Sequence, residues 1–437
     1  MKYKFTLLIL ALNIFSNFAE STDSIKNETF SIHAQATIIN QNKSGFSAKY
    51  SGDNSLTTQP ESQTSITSTL YLGARLWNGA SAFINPEIAG GSGLSGALGI
   101  AAATNGETFR IGDPAPKIYV ARLFFTQVIA LSNKMNYQTS DFNQLAGSLP
   151  EKYFSFTLGQ VSISDFFDDN KFSHDPRTQF MSWGLMSNGA WDYPANTRGY
   201  TPSVVLEYVN QKDELRYAFS LIATTANGSV MNWNVGKAGS HTLEYTHRYT
   251  LGKRDGAIRL QGFFTAGNMG NYLQVISLNS SAPDIHSVEK YGNTKFGFAL
   301  NAEQDFSKSL GGFFRASWND GQNETWAFTE IDRSISAGLS LTGDAWKRQN
   351  DNVGLAVVVS GLSDAHRDYL KAGGKGFMLG DGNLNYGLEQ LAELYYNFQL
   401  NPAIVLSGTY QLIINPGYNI DRSGPVNVFS ARLHIKI

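Results

Sequence analysis

Period-two alternation of apolar and polar residues dominates the chain. Toward the C-terminal end Phe429, Ala431, Leu433, Ile435 and Ile437 alternate with Ser430, Arg432, His434 and Lys436, the spacing at which successive side chains point to opposite faces of a strand. Phe30, Ile32, Ala34, Ala36 and Ile38 alternate in the same way with Ser31, His33, Gln35 and Thr37. The pattern recurs at Leu70/Leu72/Ala74/Leu76, Leu215/Tyr217/Phe219/Leu221/Ala223 and Phe296/Phe298/Leu300/Ala302. In these five segments the apolar register holds no Asp, Glu, Lys or Arg, whereas the opposite register holds Arg75, Arg216, Lys295, Glu303, Arg432 and Lys436. One face therefore meets an apolar medium and the other meets water.

Read throughout, the alternation predicts about sixteen strands. They fall at 30–39, 68–77, 80–88, 117–127, 153–161, 203–210, 214–224 and 242–250, then at 257–266, 293–303, 311–319, 333–341, 352–360, 386–399, 402–413 and 427–437. Short connections (78–79, 211–213, 251–256, 304–310, 342–351, 400–401) alternate with long or intermediate ones (40–67, 89–116, 162–202, 225–241, 267–292, 320–332, 361–385, 414–426). Only 128–152 breaks the rule, being long where a short connection is due. An even strand count with short turns at one end and long loops at the other is the layout of an all-β, closed transmembrane antiparallel β-barrel. Strands of about 9–11 residues suit a tilted crossing of the hydrocarbon layer. Closure is a physical requirement there, because every backbone N–H and C=O must find a partner and a sheet can keep no free edge. The first and last strands are therefore expected to pair, with both termini on the short-turn side. Aromatics at strand ends, Trp77, Tyr119, Phe125, Tyr208, Tyr249, Trp318 and Tyr410, are expected to form interfacial girdles.

Composition narrows the function. Only 16% of the 437 residues are charged, the formal net charge is −2, and there is no cysteine. A chain without basic excess is no electrostatic nucleic-acid binder, and without cysteine it has no disulfide framework, thiolate metal site or Cys nucleophile. Past the N-terminus the longest apolar run, Leu355 to Val359, falls far short of the roughly 20 residues of a membrane-spanning helix. At the N-terminus Lys2 and Lys4 precede an apolar stretch from Phe5 to Phe15, followed by small residues at Ala19 and Ser21, the layout of a secretory signal peptide. The expected organisation is a signal peptide over 1–21, cleaved after Ser21, and a barrel domain over 22–437. Its expected location is the outer membrane of a Gram-negative bacterium, with outer-membrane lipid against its apolar belt.

Three runs carry a family resemblance: Asn105 to Phe125 (NGETFRIGDPAPKIYVARLFF), Asp165 to Phe180 (DFFDDNKFSHDPRTQF) and Gly189 to Tyr200 (GAWDYPANTRGY). They resemble the carbohydrate-selective porins of the OprB type, and the similarity extends over most of the chain, more weakly in its C-terminal half. The resemblance implies a sixteen-stranded barrel that passes monosaccharides such as glucose across the outer membrane. It also implies a monomer, although an exposed apolar belt by itself would allow trimers.

A barrel of this size encloses an aqueous lumen, whose selectivity depends on its width and on the polar groups at the narrowest part. A sugar presents hydroxyls and apolar ring faces, which charged side chains and aromatic rings complement. The inward register supplies Arg75, Arg122, Glu207, Arg216, Arg259, Lys295, Glu303, Arg315 and Glu393. Arg122 stands out because it lies in a run shared with the porins, with Tyr119, Ala121 and Leu123 expected to face outward. The long connection 162–202 carries Asp165, Asp168, Asp169, Asp175, Arg177, Trp183, Trp191, Asp192 and Arg198 among Phe166, Phe167, Phe172 and Phe180. So long and aromatic a loop is expected to fold inward and narrow the pore, with Asp175, Arg177 and Trp183 near the sugar path. Alternatively, Asp175 and Arg177 pair to tether the loop to the wall. The expected pore-lining set is Arg122, Lys117, Asp165, Asp168, Asp175, Arg177, Trp183, Trp191, Arg198, Arg216 and Glu207.

No cofactor or metal is expected. His174 and Asp175 near Asp168 and Asp169 lack a ligand spacing such as H-E-x-x-H, and calcium is the ion such carboxylates would favour. No Gly-x-Ser-x-Gly is present. The glycine-rich stretch Gly90 to Gly96 lacks the Lys-Ser/Thr of a phosphate loop and reads as a flexible outer loop. The remaining alternatives are a barrel hydrolase with catalytic groups at its rim, a general non-selective porin, and a secreted β-sandwich or adhesin.

Overall fold

The computed structural model describes residues 27–108 and 115–437; the signal-peptide segment expected over 1–21 lies outside the described residues. Sixteen strands close into one antiparallel barrel. They are β1 (Phe30–Lys43), β2 (Glu61–Trp77), β3 (Ala80–Gly91), β4 (Lys117–Ala130), then, after a separate hairpin of β5 (Met135–Gln138) and β6 (Gly147–Pro150), β7 (Tyr153–Val161), β8 (Thr201–Val209), β9 (Asp213–Ser220) and β10 (Gly239–Leu251). The series continues through β11 (Arg254–Met269), β12 (Lys290–Asp305), β13 (Leu310–Asn319), β14 (Arg333–Gly343), β15 (Arg348–Gly361), β16 (Glu389–Asn401), β17 (Ile404–Ile414) and β18 (Val426–Lys436). The seam closes where β1 meets β18, with Gln35 opposite Lys436 and Lys43 opposite Val428. The barrel sheet itself is closed on both sides, as a hydrocarbon surround demands.

The apolar register faces outward. Phe296, Phe298, Leu339, Leu355 and Phe429 are all exposed on the outer wall, which places them against lipid rather than between stacked sheets. Of the aromatics expected at strand ends, Trp77, Tyr208 and Trp318 are exposed there. Tyr119 is a correction. Opposite Pro86 the pairing of β3 with β4 slips, so that Asn85 faces Arg122 while Pro86 faces Val120 and Ala121 is left over as a bulge. Proline donates no ladder hydrogen bond and favours such irregularities. The extra residue puts Tyr119 and Arg122 on the same inner face, where unbroken alternation would have opposed them. Ala121 itself is fully buried.

Several strands outrun their predicted limits. β1 continues to Lys43 and β2 begins at Glu61, in register (Lys43 opposite Glu61, Gln41 opposite Gln63). Beyond the hydrocarbon the inner face meets polar loop groups, Gln41 donating to the Thr104 carbonyl and Lys43 to that of Gln59, so the ladder persists after the apolar alternation ends.

The long connections do not stand clear of the barrel. They pack inside the long-loop end around Ile100, Phe180, Leu185, Tyr272, Ile331, Leu362 and Tyr369, all buried. Three short helices, α1 (Trp183–Met186), α2 (Tyr272–Leu278) and α3 (Asp364–Lys371), belong to this filling. The glycine-rich stretch belongs to it as well: Leu94 is buried, so it packs rather than waving in solvent.

Candidate functional site: the lumen and its lining

Two connections shape the lumen. The β7–β8 connection turns inward and binds the far wall through its backbone and acidic side chains. Asp168 accepts a 2.9 Å bond from Nε of Arg315 on β13, and its own N–H donates to Glu244 on β10. The N–H groups of Met181 and Ser182 donate to Glu393 on β16 at 2.6 and 3.0 Å. Arg432 on β18 donates to the carbonyls of Pro176 and Gln179. Wall charges that the sequence offers as solvent-facing thus satisfy the backbone of a buried loop, which would otherwise carry orphaned polar groups. Lys295 is also fully buried, donating to Thr325 of the β13–β14 connection.

The β3–β4 connection folds in beside it, which sequence reasoning missed. Glu389 accepts from the N–H groups of Ala101 and Ala102, Gly184 donates to the carbonyl of Ala102, and Gly106 donates to that of Met181. The small apolar run Ile100-Ala101-Ala102 was the available signal.

Between these loops and the opposite mouth lies a cavity of about 830 Å³. Ion pairs and aromatic rings line it. Arg122 grips Asp165 through two bonds of 2.6 Å and lies 5.2 Å from the Tyr200 ring centre. Arg177 pairs with Glu107 at 3.1 Å and reaches Asp175 at 3.7 Å. Asp175 otherwise caps its own turn, accepting from the N–H of Arg177 and the hydroxyl of Thr178. Arg177 therefore joins one inward loop to the other instead of tethering its loop to the wall. Burial pulls the Arg177 pKa down, but the Glu107 and Asp175 carboxylates hold it well above the usual value. Burial pushes the Glu107 carboxyl up, against the pull of Arg177.

Arg198 stacks over Tyr119 at 4.0 Å, and Tyr119 and Tyr200 both donate to Glu87, a carboxylate the sequence reading passed over. Trp183 lines the cavity with its ring against Phe328 (4.8 Å) and Tyr193 (5.6 Å). Glu207 also lines it and receives Nε of Arg216 at 2.9 Å. Four residues of the expected set, Asp168, Trp191, Lys117 and Arg216, do not line the cavity. Asp168 is buried against Arg315, Trp191 is buried among Phe167 and Tyr193, and Lys117 is exposed at the start of β4. Arg216 stands on the inner wall behind Glu207, bridging it to Glu214 at 2.6 Å.

Over residues 53–437 the chain matches the model of the carbohydrate-selective porin family, OprB. It belongs to that family. The fold agrees: Pseudomonas putida OprB in its high-pH structure superposes with a TM-score of 0.71 at 13% identity, covering 95% of this chain and 100% of that one. The Acinetobacter baumannii outer-membrane channel DcaP superposes at 0.52 with 10% identity, over 95% and 99% of the two chains. No curated protein matches the sequence. This OprB-family porin is an outer-membrane carbohydrate channel, and the lumen is the path its solutes take.

Proposed function

We propose that the channel selects monosaccharide-sized sugars at a constriction framed by Arg122–Asp165, Arg177–Glu107, Arg198 and Trp183, and that each barrel works as a monomer. The supporting observation is the cavity between the inward loops: guanidinium and carboxylate groups stand in fixed pairs around it, with the Trp183 ring among them. Such pairs offer donors and acceptors to sugar hydroxyls at little reorganisation, because their partners already hold them in place. Trp183 supplies an apolar surface for the ring C–H groups. The monomer is what the resemblance to the OprB-type porins implies.

Single-channel recording tests this reading. Glucose should block the current in a concentration-dependent way, more strongly than maltose or succinate. Equal block by all three would leave a non-selective pore. Light scattering in detergent should give the mass of one chain.

A further inference from the structure

The β4–β7 connection, residues 131–152, lies on the short-turn side, where every other link between barrel strands is brief. β5 and β6 pair only with each other. The segment between them, 139–146, enters the lumen from the mouth opposite the inward loops and contributes Asp141, Phe142, Asn143 and Gln144 to the cavity lining.

Its hold on the wall is extensive. Phe142 stacks on Tyr71 of β2, centroids 4.3 Å apart and planes 13° from parallel. Lys436 of β18 bonds Asp141 at 2.8 Å and lies 4.5 Å from the Phe142 ring centre. Asn85 of β3 donates to Asn143 at 2.8 Å. Leu145 is buried between Phe83, Phe124 and Val161, and Glu28 accepts from both Ser140 and the N–H of Ala146 at 2.7 Å. Ordering a loop costs about 1–2 kcal/mol per residue in backbone entropy, which these contacts offset. A turn that only had to join two strands would need none of them.

We propose that segment 139–146 is a second constriction, at the periplasmic end, which limits the size of solute leaving the lumen, with Phe142 and Asn143 at its rim. It passes a monosaccharide and retards a disaccharide. This rests on the reading of the lumen as a sugar path, but its first test needs no sugar.

The chain has no cysteine, so Asn143→Cys places a single thiol at the rim. A cationic methanethiosulfonate reagent added from the short-turn side should lower the KCl conductance of Asn143→Cys at least about twofold. Tyr137→Cys, on the exposed face of β5, should not respond. In the second test Asp141→Ala combined with Phe142→Ala should raise the conductance and raise maltose flux relative to glucose flux in proteoliposome swelling. Unchanged conductance of modified Asn143→Cys overturns the proposal, as does an unchanged flux ratio in a folded double variant. If the double variant does not fold, the thiol test decides. Glucose failing to block the unmodified channel while the reagent still closes Asn143→Cys would refute the sugar constriction and leave the second one standing.

Discussion

Replacing Arg177 by alanine removes the link between the two inward loops and leaves Glu107 without its cation. At the observed 3.1 Å the pair attracts by about 1 kcal/mol in bulk water and about 5 kcal/mol at an effective dielectric of ~20. The lower figure does not apply, because the side chains are only 19% and 6% exposed. Removing one partner of a largely buried pair costs about 3–5 kcal/mol, against roughly 0–1 kcal/mol for an exposed pair. The loss falls on loop packing, since neither residue belongs to the barrel ladder, so the variant should still insert and migrate heat-modifiably. Glu107 keeps the bond from the Thr67 hydroxyl but loses the charge that opposes its burial, so its carboxyl takes up a proton nearer neutral pH. Arg177→Ala should therefore show a larger single-channel conductance that varies with pH as the raised Glu107 carboxyl titrates, together with weaker glucose block. Glu107→Gln in the same background should abolish the pH dependence, and Arg177→Lys, which keeps the charge but not the fork, should fall between. Conductance, its pH profile and glucose block all matching the unmodified channel would refute the placement of this pair in the pore.

Three further outcomes follow from the same geometry. Among the residues lining the cavity seven carboxylates (Glu87, Glu107, Asp141, Asp165, Asp169, Asp175, Glu207) face four permanent cations (Arg122, Arg177, Arg198, Lys436), so the reversal potential in a KCl gradient should favour potassium; an anion preference would contradict it. Phe298→Arg places a charge on the outer wall at a residue 61% exposed, which should destabilise folding into phospholipid vesicles by about 2–4 kcal/mol in urea titrations; a variant as stable as the parent would mean that this position never meets hydrocarbon. In the outer loops burial and the neighbouring Glu289 raise the Glu324 carboxyl to about 7, and His366 is raised because Asp332 at 2.9 Å outweighs its burial. Both contributions are complete below the ordinary pKa values and lost as pH rises through the raised ones, whereas that of Asp332, held at about 2, is lost only in strong acid. Hydrogen exchange across α3, corrected for intrinsic rate, should therefore show protection falling from pH 5 to pH 8, and Glu324→Gln should flatten the slope; protection that rises with pH would contradict the assignment.

The barrel was legible because its outward register answers to a single requirement, an uncharged face toward lipid, which acts alike on every strand. Strand ends were not, since above the hydrocarbon Asn40 to Lys43 are paired but no longer patterned. The inner wall was legible only as a face. Alternation alone does not separate Arg122, whose guanidinium lines the cavity, from Arg315, which lies buried beneath Asp168 and the carbonyls of Leu185 and Ser173. Both are arginines at inward positions of alternating strands, and what distinguishes them is which sector of the wall the β7–β8 connection covers. That depends on contacts more than a hundred residues apart.

Glu87 shows where the limit lies. It was visible as a carboxylate beside Pro86 in a strand, and Pro86 was visible as a residue that cannot donate to a ladder. Only the combination, a bulge at Ala121 that turns Tyr119 inward onto Glu87, makes it part of the site. Strict alternation would have pointed Tyr119 at lipid and left the acid with the Tyr200 and Thr69 hydroxyls alone. A proline inside a predicted strand is therefore itself a sequence-level sign that the register slips nearby.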